Sequence, residues 1–214
     1  MKPTPLLALG LAAGLALAGC KIVKDVAEDE KAIPADASGD DARTAQRIAD
    51  TFDSKLLPLV HDTALPLPEL RAALAGGLDA AGKAHGNRGA GAGAAWNFAV
   101  SGEGRVVEAK LDSRARTLGL DTDGDGSSDV TLQLGPVIKG SAMRDVAPFY
   151  NFDDFRDQIE FAKLGRAIND QLAERITVPE GDLVGRSVTF TGVVPLKSAT
   201  EPLTVTPTEI EVAP

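Results

Sequence analysis

The run Asp121-Thr122-Asp123-Gly124-Asp125-Gly126-Ser127-Ser128-Asp129 has the residue types and spacing best suited to chemistry in this chain. Carboxylates at the first, third and fifth places, a glycine at the sixth for a sharp turn, a carbonyl at the seventh and an acid at the ninth follow the opening of a calcium-binding loop, whose hard oxygen donors suit that ion. The ligand set on this reading is Asp121, Asp123, Asp125, Ser127 and Asp129. Such loops carry a bidentate Glu at the twelfth place, which is Leu132 here, and its alternation with Val130 and Leu134 points it into a core. Asp-Gly is also a common hairpin turn. The pattern therefore supports two readings, a bound calcium and a solvated acidic turn between strands.

Other chemistry has less to work with. The two histidines, His61 and His85, are far apart in sequence and fall at a helix end and in a Gly-rich stretch. No G-x-S-x-G nucleophile motif accompanies them, and they lack zinc-ligand spacing. The glycines from Gly86 to Gly93 neither follow a strand nor open a helix, so they are not a phosphate-binding loop. Arg144 and Asp145, after Gly140-Ser141, read as a structural ion pair or a helix-start cap in preference to a catalytic pair. The expectation is a non-catalytic protein, with a hydrolytic enzyme ranked behind binding and structural roles.

The only cysteine, Cys20, has a different use. Lys2 is the only charge ahead of it, Leu6 to Ala18 contains no polar side chain, and Ala18 and Gly19 put small residues before the thiol. A short charged region followed by an apolar run is a secretion signal, and this run is too short to span a bilayer. Leu17-Ala18-Gly19-Cys20 resembles the lipobox of bacterial lipoproteins, which implies acylation of Cys20, cleavage before it and anchoring through lipid. Several acyl chains hold far more firmly than one. Lys21 in place of Asp after the cysteine favours the outer membrane over the inner. Residues 1–19 are thus expected to be a lipoprotein signal peptide and the mature domain to be periplasmic. With this cysteine acylated, the fold has no disulfide to use.

The chain carries 22 basic and 31 acidic residues, a net charge of −9 that becomes −10 once Lys2 is removed. Phosphate backbones and anionic headgroups repel such a chain, and its Lys and Arg residues form no cluster. Nucleic acid and a peripheral membrane surface are therefore not expected partners, and membrane contact is left to the lipid. A hydrophobic fraction of 43% supports a packed core, so the length suits one domain with an appendage.

The elements that would position these residues follow from periodicity. Residues 20–40 lack aromatics and are rich in Asp, Glu, Ala and Lys, as suits a solvated tether. Residues 41–95 read as a helical segment and a Gly-rich loop. Ala45, Ile48, Ala49, Phe52 and Leu56 mark a helix capped by Asp40 or Asp41 and ending near Pro58; Leu70, Ala73, Leu74 and Leu78 mark a second, weakened by Gly76-Gly77. Gly86 to Ala95 is expected to be a mobile loop.

From Trp96 the period falls to two. A long strand with Trp96, Phe98, Val100, Val107, Ala109 and Leu111 is expected to be bent by a bulge at Gly102 and Gly104. Strands around Leu118 and Leu120 and around Val130, Leu132 and Leu134 follow. A helix capped by Asn151 or Asp153 comes next, with one stripe of Phe155, Ile159 and Ala162 and another of Phe161, Leu164, Ile168 and Leu172. It is either covered on both sides or broken near Gly165. Strands Ser187 to Val194 and Leu203 to Val212 end the chain. Three strands, a helix and two strands give an α+β fold. N-terminal helices precede an OB-like five-stranded β-barrel over residues 96–214, with one helix between strands 3 and 4. An open antiparallel sheet with helices on one face is the rival. The barrel's usual ligand loops would be Asp112 to Arg116 and Pro195 to Pro202.

Leu132-Gln133-Leu134-Gly135-Pro136-Val137-Ile138-Lys139-Gly140, Met143-Arg144-Asp145, Phe152-Asp153-Asp154-Phe155 and Gln158-Ile159-Glu160, with Cys20-Lys21-Ile22-Val23 and Asp53-Ser54-Lys55, resemble an uncharacterised family of predicted periplasmic lipoproteins. The resemblance runs from the lipobox to the last strand. Members are often encoded beside sugar-importing ABC transporters, which implies an accessory role in uptake, with the transporter or its binding protein as partner. It brings no catalytic residues with it. The leading expectation is a lipid-anchored periplasmic binding protein that assists a sugar importer; the alternative is a structural envelope lipoprotein stabilised by calcium.

Overall fold

The strand that closes the molecule is β3 (Trp96–Lys110), because its length lets it pair with two different partners. The computed structural model describes residues 32–213, so the signal peptide, Cys20 and most of the tether lie outside them. The first part of β3 runs antiparallel to β6 (Ser187–Leu196), from Trp96 opposite Leu196 to Arg105 opposite Ser187. Its last part pairs with β4 (Ala115–Asp121), from Arg105 opposite Asp121 to Lys110 opposite Thr117. β4 pairs with β5 (Val130–Pro136), β5 runs parallel to β7 (Leu203–Val212), and β7 returns antiparallel to β6. The ring β3-β4-β5-β7-β6 is closed, the OB arrangement, and closure removes the exposed strand edges of an open sheet.

The bulge is not at the glycines. The register of β3 against β4 shifts between Val106 and Glu108. Gly102 and Gly104 answer to close packing instead: a Cβ on Gly104 would lie 2.7 Å from Thr122 Cγ2 and 2.8 Å from the Asp121 carbonyl oxygen, and one on Gly102 would lie 2.9 Å from Phe190 Cζ. Both sit where β3 passes from one partner to the other, and only a residue without a side chain fits there.

The helical segment covers the edge of β3 that β4 leaves unpaired. β1 (Leu65–Pro66) pairs parallel with Val100 and Ser101, and β2 (Gly86–Arg88) pairs antiparallel with Trp96 to Phe98. The Gly-rich stretch expected to be all loop therefore opens with a strand. Main-chain bonds hold that strand, so it needs no apolar alternation.

The first expected helix does not stop at Pro58. α1 (Asp40–Thr51) passes through a π-helical turn at Phe52–Leu56 into α2 (Leu57–Thr63), where Pro58 falls in the first turn after the π-helical segment. The second divides at Gly76-Gly77 into α3 (Leu67–Ala75) and α4 (Leu78–His85), with Gly77 at φ 105°. The last residues of the expected tether are ordered too. Asp36 accepts the Ser38 amide and opens a 3-10 turn at Ala37–Gly39 that leads into α1, while Asp40 is buried.

Between β5 and β6 lie a short α5 (Ala142–Asp145) and the long α6 (Gln158–Arg175). Asn151 caps only a 3-10 turn at Phe152–Asp154; Asp157 caps α6 by accepting the Ile159 and Glu160 amides. The helix runs unbroken through Gly165. Its stripe of Phe161, Leu164, Ile168 and Leu172 joins Phe98, Val100, Leu118, Leu132, Leu134 and Val193 in one core, whereas Ile159 is 64% exposed, so α6 is covered on one side only.

Candidate functional site

The acidic turn lies between β4 and β5, at the end of the barrel where β3 changes partner. Asp121 is buried and accepts the Gly124 amide at 2.7 Å and the Gly126 amide at 3.0 Å. The Gly124 bond, with the Gly126 amide adding to it against the effect of burial, holds this carboxyl below the ordinary carboxylate range. Asp123 and Asp125 are exposed, each accepting the amide two residues on. The carboxylates of Asp121, Asp123 and Asp125 converge to within 4.8 Å of one another. Gly124 and Gly126 adopt φ of 85° and 86°, the left-handed conformation that lets the chain double back so tightly.

Asp129 points elsewhere. It accepts the Thr122 amide at 3.0 Å and the Thr122 hydroxyl at 2.8 Å, and it pairs with Arg71 of α3. Ser127 gives its amide to Asp125, and Leu132 is fully buried. Of the five expected ligands the fold thus gathers three carboxylates and commits the fourth to an ion pair that ties the turn to the helical segment.

A second feature is a groove of about 740 Å³ across the outer face of β3, β6 and β7. Two cross-strand rows line it: Glu103, Thr189 and Glu211 in one, Ser101, Thr191 and Glu209 in the other. Pro66, Leu67 and Arg71 form a wall, and Arg71 is the only basic side chain lining it, already paired with Asp129. Carboxylates and hydroxyls here face outward, and the one lining cation is committed to Asp129.

A third is a cleft of about 490 Å³ between the Gly-rich loop and α5 and α6. Arg144 is held by Asp145 at 2.7 Å, donates to the Phe161 carbonyl at 3.1 Å and lies 3.6 Å above the Phe161 ring. The Ser141 hydroxyl donates to the other Asp145 oxygen at 2.7 Å, and the Asn87 amide binds the Asp145 carbonyl. The Arg144–Asp145 pair therefore anchors β2, α5 and α6 to one another. His61 and His85 are both exposed; His61 faces Asp62 at 3.1 Å, which raises its pKa.

The sequence reading missed the largest charged cluster. Arg43 binds Glu160 and Asp40, each at 2.6 Å, and also the Pro34 carbonyl. Arg156 binds the other Asp40 oxygen at 2.9 Å and gives its amide to Glu160 at 2.7 Å. The cluster staples the segment that leads out of the tether to α6.

A family model described as "Predicted periplasmic lipoprotein (DUF2291)" matches residues 10–211. The chain belongs to this family. The match spans almost the whole chain, including the lipobox, so the lipid-anchored periplasmic placement implied by Leu17-Ala18-Gly19-Cys20 is a family property, while Cys20 itself lies outside the described residues. Among solved structures, this lipoprotein is similar to an OB-fold protein from Thermotoga maritima, at 17% identity over 80% of this chain and 95% of that one, with a TM-score of 0.54. That likeness bears on the fold alone, and it agrees with the closed five-stranded ring. No curated protein matches the chain. The Asp40–Arg43–Glu160–Arg156 cluster joins residues more than a hundred apart and has no local signal.

Proposed function

We propose that this lipoprotein is a non-catalytic accessory binding protein that works at the membrane beside a sugar ABC importer, contacting the importer's substrate-binding protein or the sugar itself. The observation that carries the reading is the groove over β3, β6 and β7. Its alternating carboxylates and hydroxyls, Glu103, Glu209, Glu211, Ser101, Thr189 and Thr191, offer the hydrogen-bonding partners that sugar hydroxyls or a basic protein surface take. The lipobox and the transporter neighbourhood implied by the resemblance point the same way. Co-purification from a membrane-preserving extract tests it. The tethered wild type should bring down transporter subunits, and a Glu209→Lys/Glu211→Lys variant should bring down several-fold less. Clean isolation of the wild type without any transporter subunit counts against the reading.

A second reading is favoured by the convergence of Asp121, Asp123 and Asp125, which makes the β4–β5 turn a candidate calcium site in a structural envelope lipoprotein.

A further inference from the structure

We propose that the cleft between the Gly-rich loop and α5 and α6 is a binding site for a small, ring-bearing organic anion, separate from the groove assigned to the importer. In a chain of net charge −9, the lining of this cleft contains two guanidinium groups, Arg144 and Arg166, and no carboxylate. Asp145 balances Arg144 from behind, but its bonds to Asp145 and to the Phe161 carbonyl use only part of the guanidinium's five donors. No ion pair of Arg166 occurs among the described residues, and the acids that share its other face, Asp41, Asp53 and Asp170, line a different pocket. An anion entering here meets two guanidinium groups and no lining carboxylate, with planar donors suited to carboxylate or phosphate oxygens.

The floor is apolar and aromatic. Phe152 is 38% exposed and stands edge-on to Phe161 at 5.4 Å, and Ala162 and Gly165 leave the space beside them open. Because Arg144 is held at both ends, its remaining donors are pre-oriented and little side-chain entropy is lost on binding. A volume of about 490 Å³ lies in the range of small-molecule pockets. The apolar face of a ring packs on Phe152 while its acidic substituent reaches Arg166 and Arg144.

The test uses the full chain in detergent and saturation-transfer NMR with galacturonate and glucose 6-phosphate, each against its neutral counterpart, galactose and glucose. At low millimolar concentration at least one of the two anions should give saturation transfer and bind about tenfold more tightly than its neutral counterpart, with the difference shrinking as salt is raised. Galacturonate alone would assign a carboxylate site, and glucose 6-phosphate alone a phosphate site. Arg166→Ala should weaken binding about tenfold with unchanged thermal unfolding, since its side chain is exposed, and Phe152→Ala should weaken binding too. Absence of transfer from both anions, equal binding of anion and neutral partner, or full binding in both variants would overturn the proposal. None of these outcomes bears on whether the protein co-purifies with transporter subunits.

Discussion

Asp40 and Glu160 put two carboxylates between α1 and α6, and their protonation ties stability to pH. The hydrogen bond from Arg156 holds Asp40 below its ordinary value of 3.8, and for Glu160 the bonds from Arg43 and the Arg156 amide outweigh burial to leave it below 4.5. A carboxylate whose folded value is depressed contributes stability above its unfolded value and loses it as pH falls through the folded one. Urea unfolding should thus give a constant midpoint above about pH 5 and a falling one below it. Asp40→Asn should flatten that dependence, and Glu160→Gln should lower stability at neutral pH by about 1–3 kcal/mol, because Arg43 loses one of its two charged partners. An acid limb identical in wild type and both variants would show that the cluster carries none of it. At this scale the sequence was readable where a residue acts locally: the Arg144–Asp145 neighbours do pair, and Leu132 does point inward. Asp40 was read as a cap because a cap is a local device; besides the nearby Arg43, its partners Arg156 and Lys163 lie more than a hundred residues away.

Elements were legible in so far as their hydrophobic period was unbroken. β7 runs over Leu203–Val212 as its alternation implies, and the apolar stripe from Phe161 to Leu172 is the buried face of α6. Where backbone conformation decides, the pattern misled: the π-helical turn carries the first helix past Pro58, and β2 forms from a stretch with nothing to bury. The acidic turn is an element of this kind, since its hydrogen bonds from Gly124, Gly126 and Ser127 satisfy the carboxylates of Asp121 and Asp125 while leaving three acids in mutual repulsion. If calcium relieves that repulsion, stability rises with RT ln(1 + [L]/Kd), about 2.7 kcal/mol at a hundredfold excess over Kd. Magnesium does much less, because it demands a tight octahedron and gives up water reluctantly. Thermal melts in chelator, calcium and magnesium should show an upward shift with calcium only, lost in Asp123→Ala. Superimposable curves would mean that the turn is only a turn.

For the whole molecule, the order of strands and helices was enough to indicate a closed OB barrel, because three strands, a helix and two strands around a long first strand have few other ways to close. The docking of the helical segment onto β3 was not legible, since β1 and β2 are too short and too polar to announce themselves. As a member of a periplasmic lipoprotein family, the barrel is anchored through lipid, and Cys20 is the residue expected to carry it. Several acyl chains on Cys20 would hold far more firmly than one. Fractionation of cells expressing wild type or Cys20→Ser tests this most directly. The wild type should sediment with membranes and incorporate labelled palmitate, while Cys20→Ser should incorporate none and leave the membrane fraction with its domain still folded. A Cys20→Ser protein that sediments with membranes as the wild type does would contradict the lipid anchor and the function built upon it.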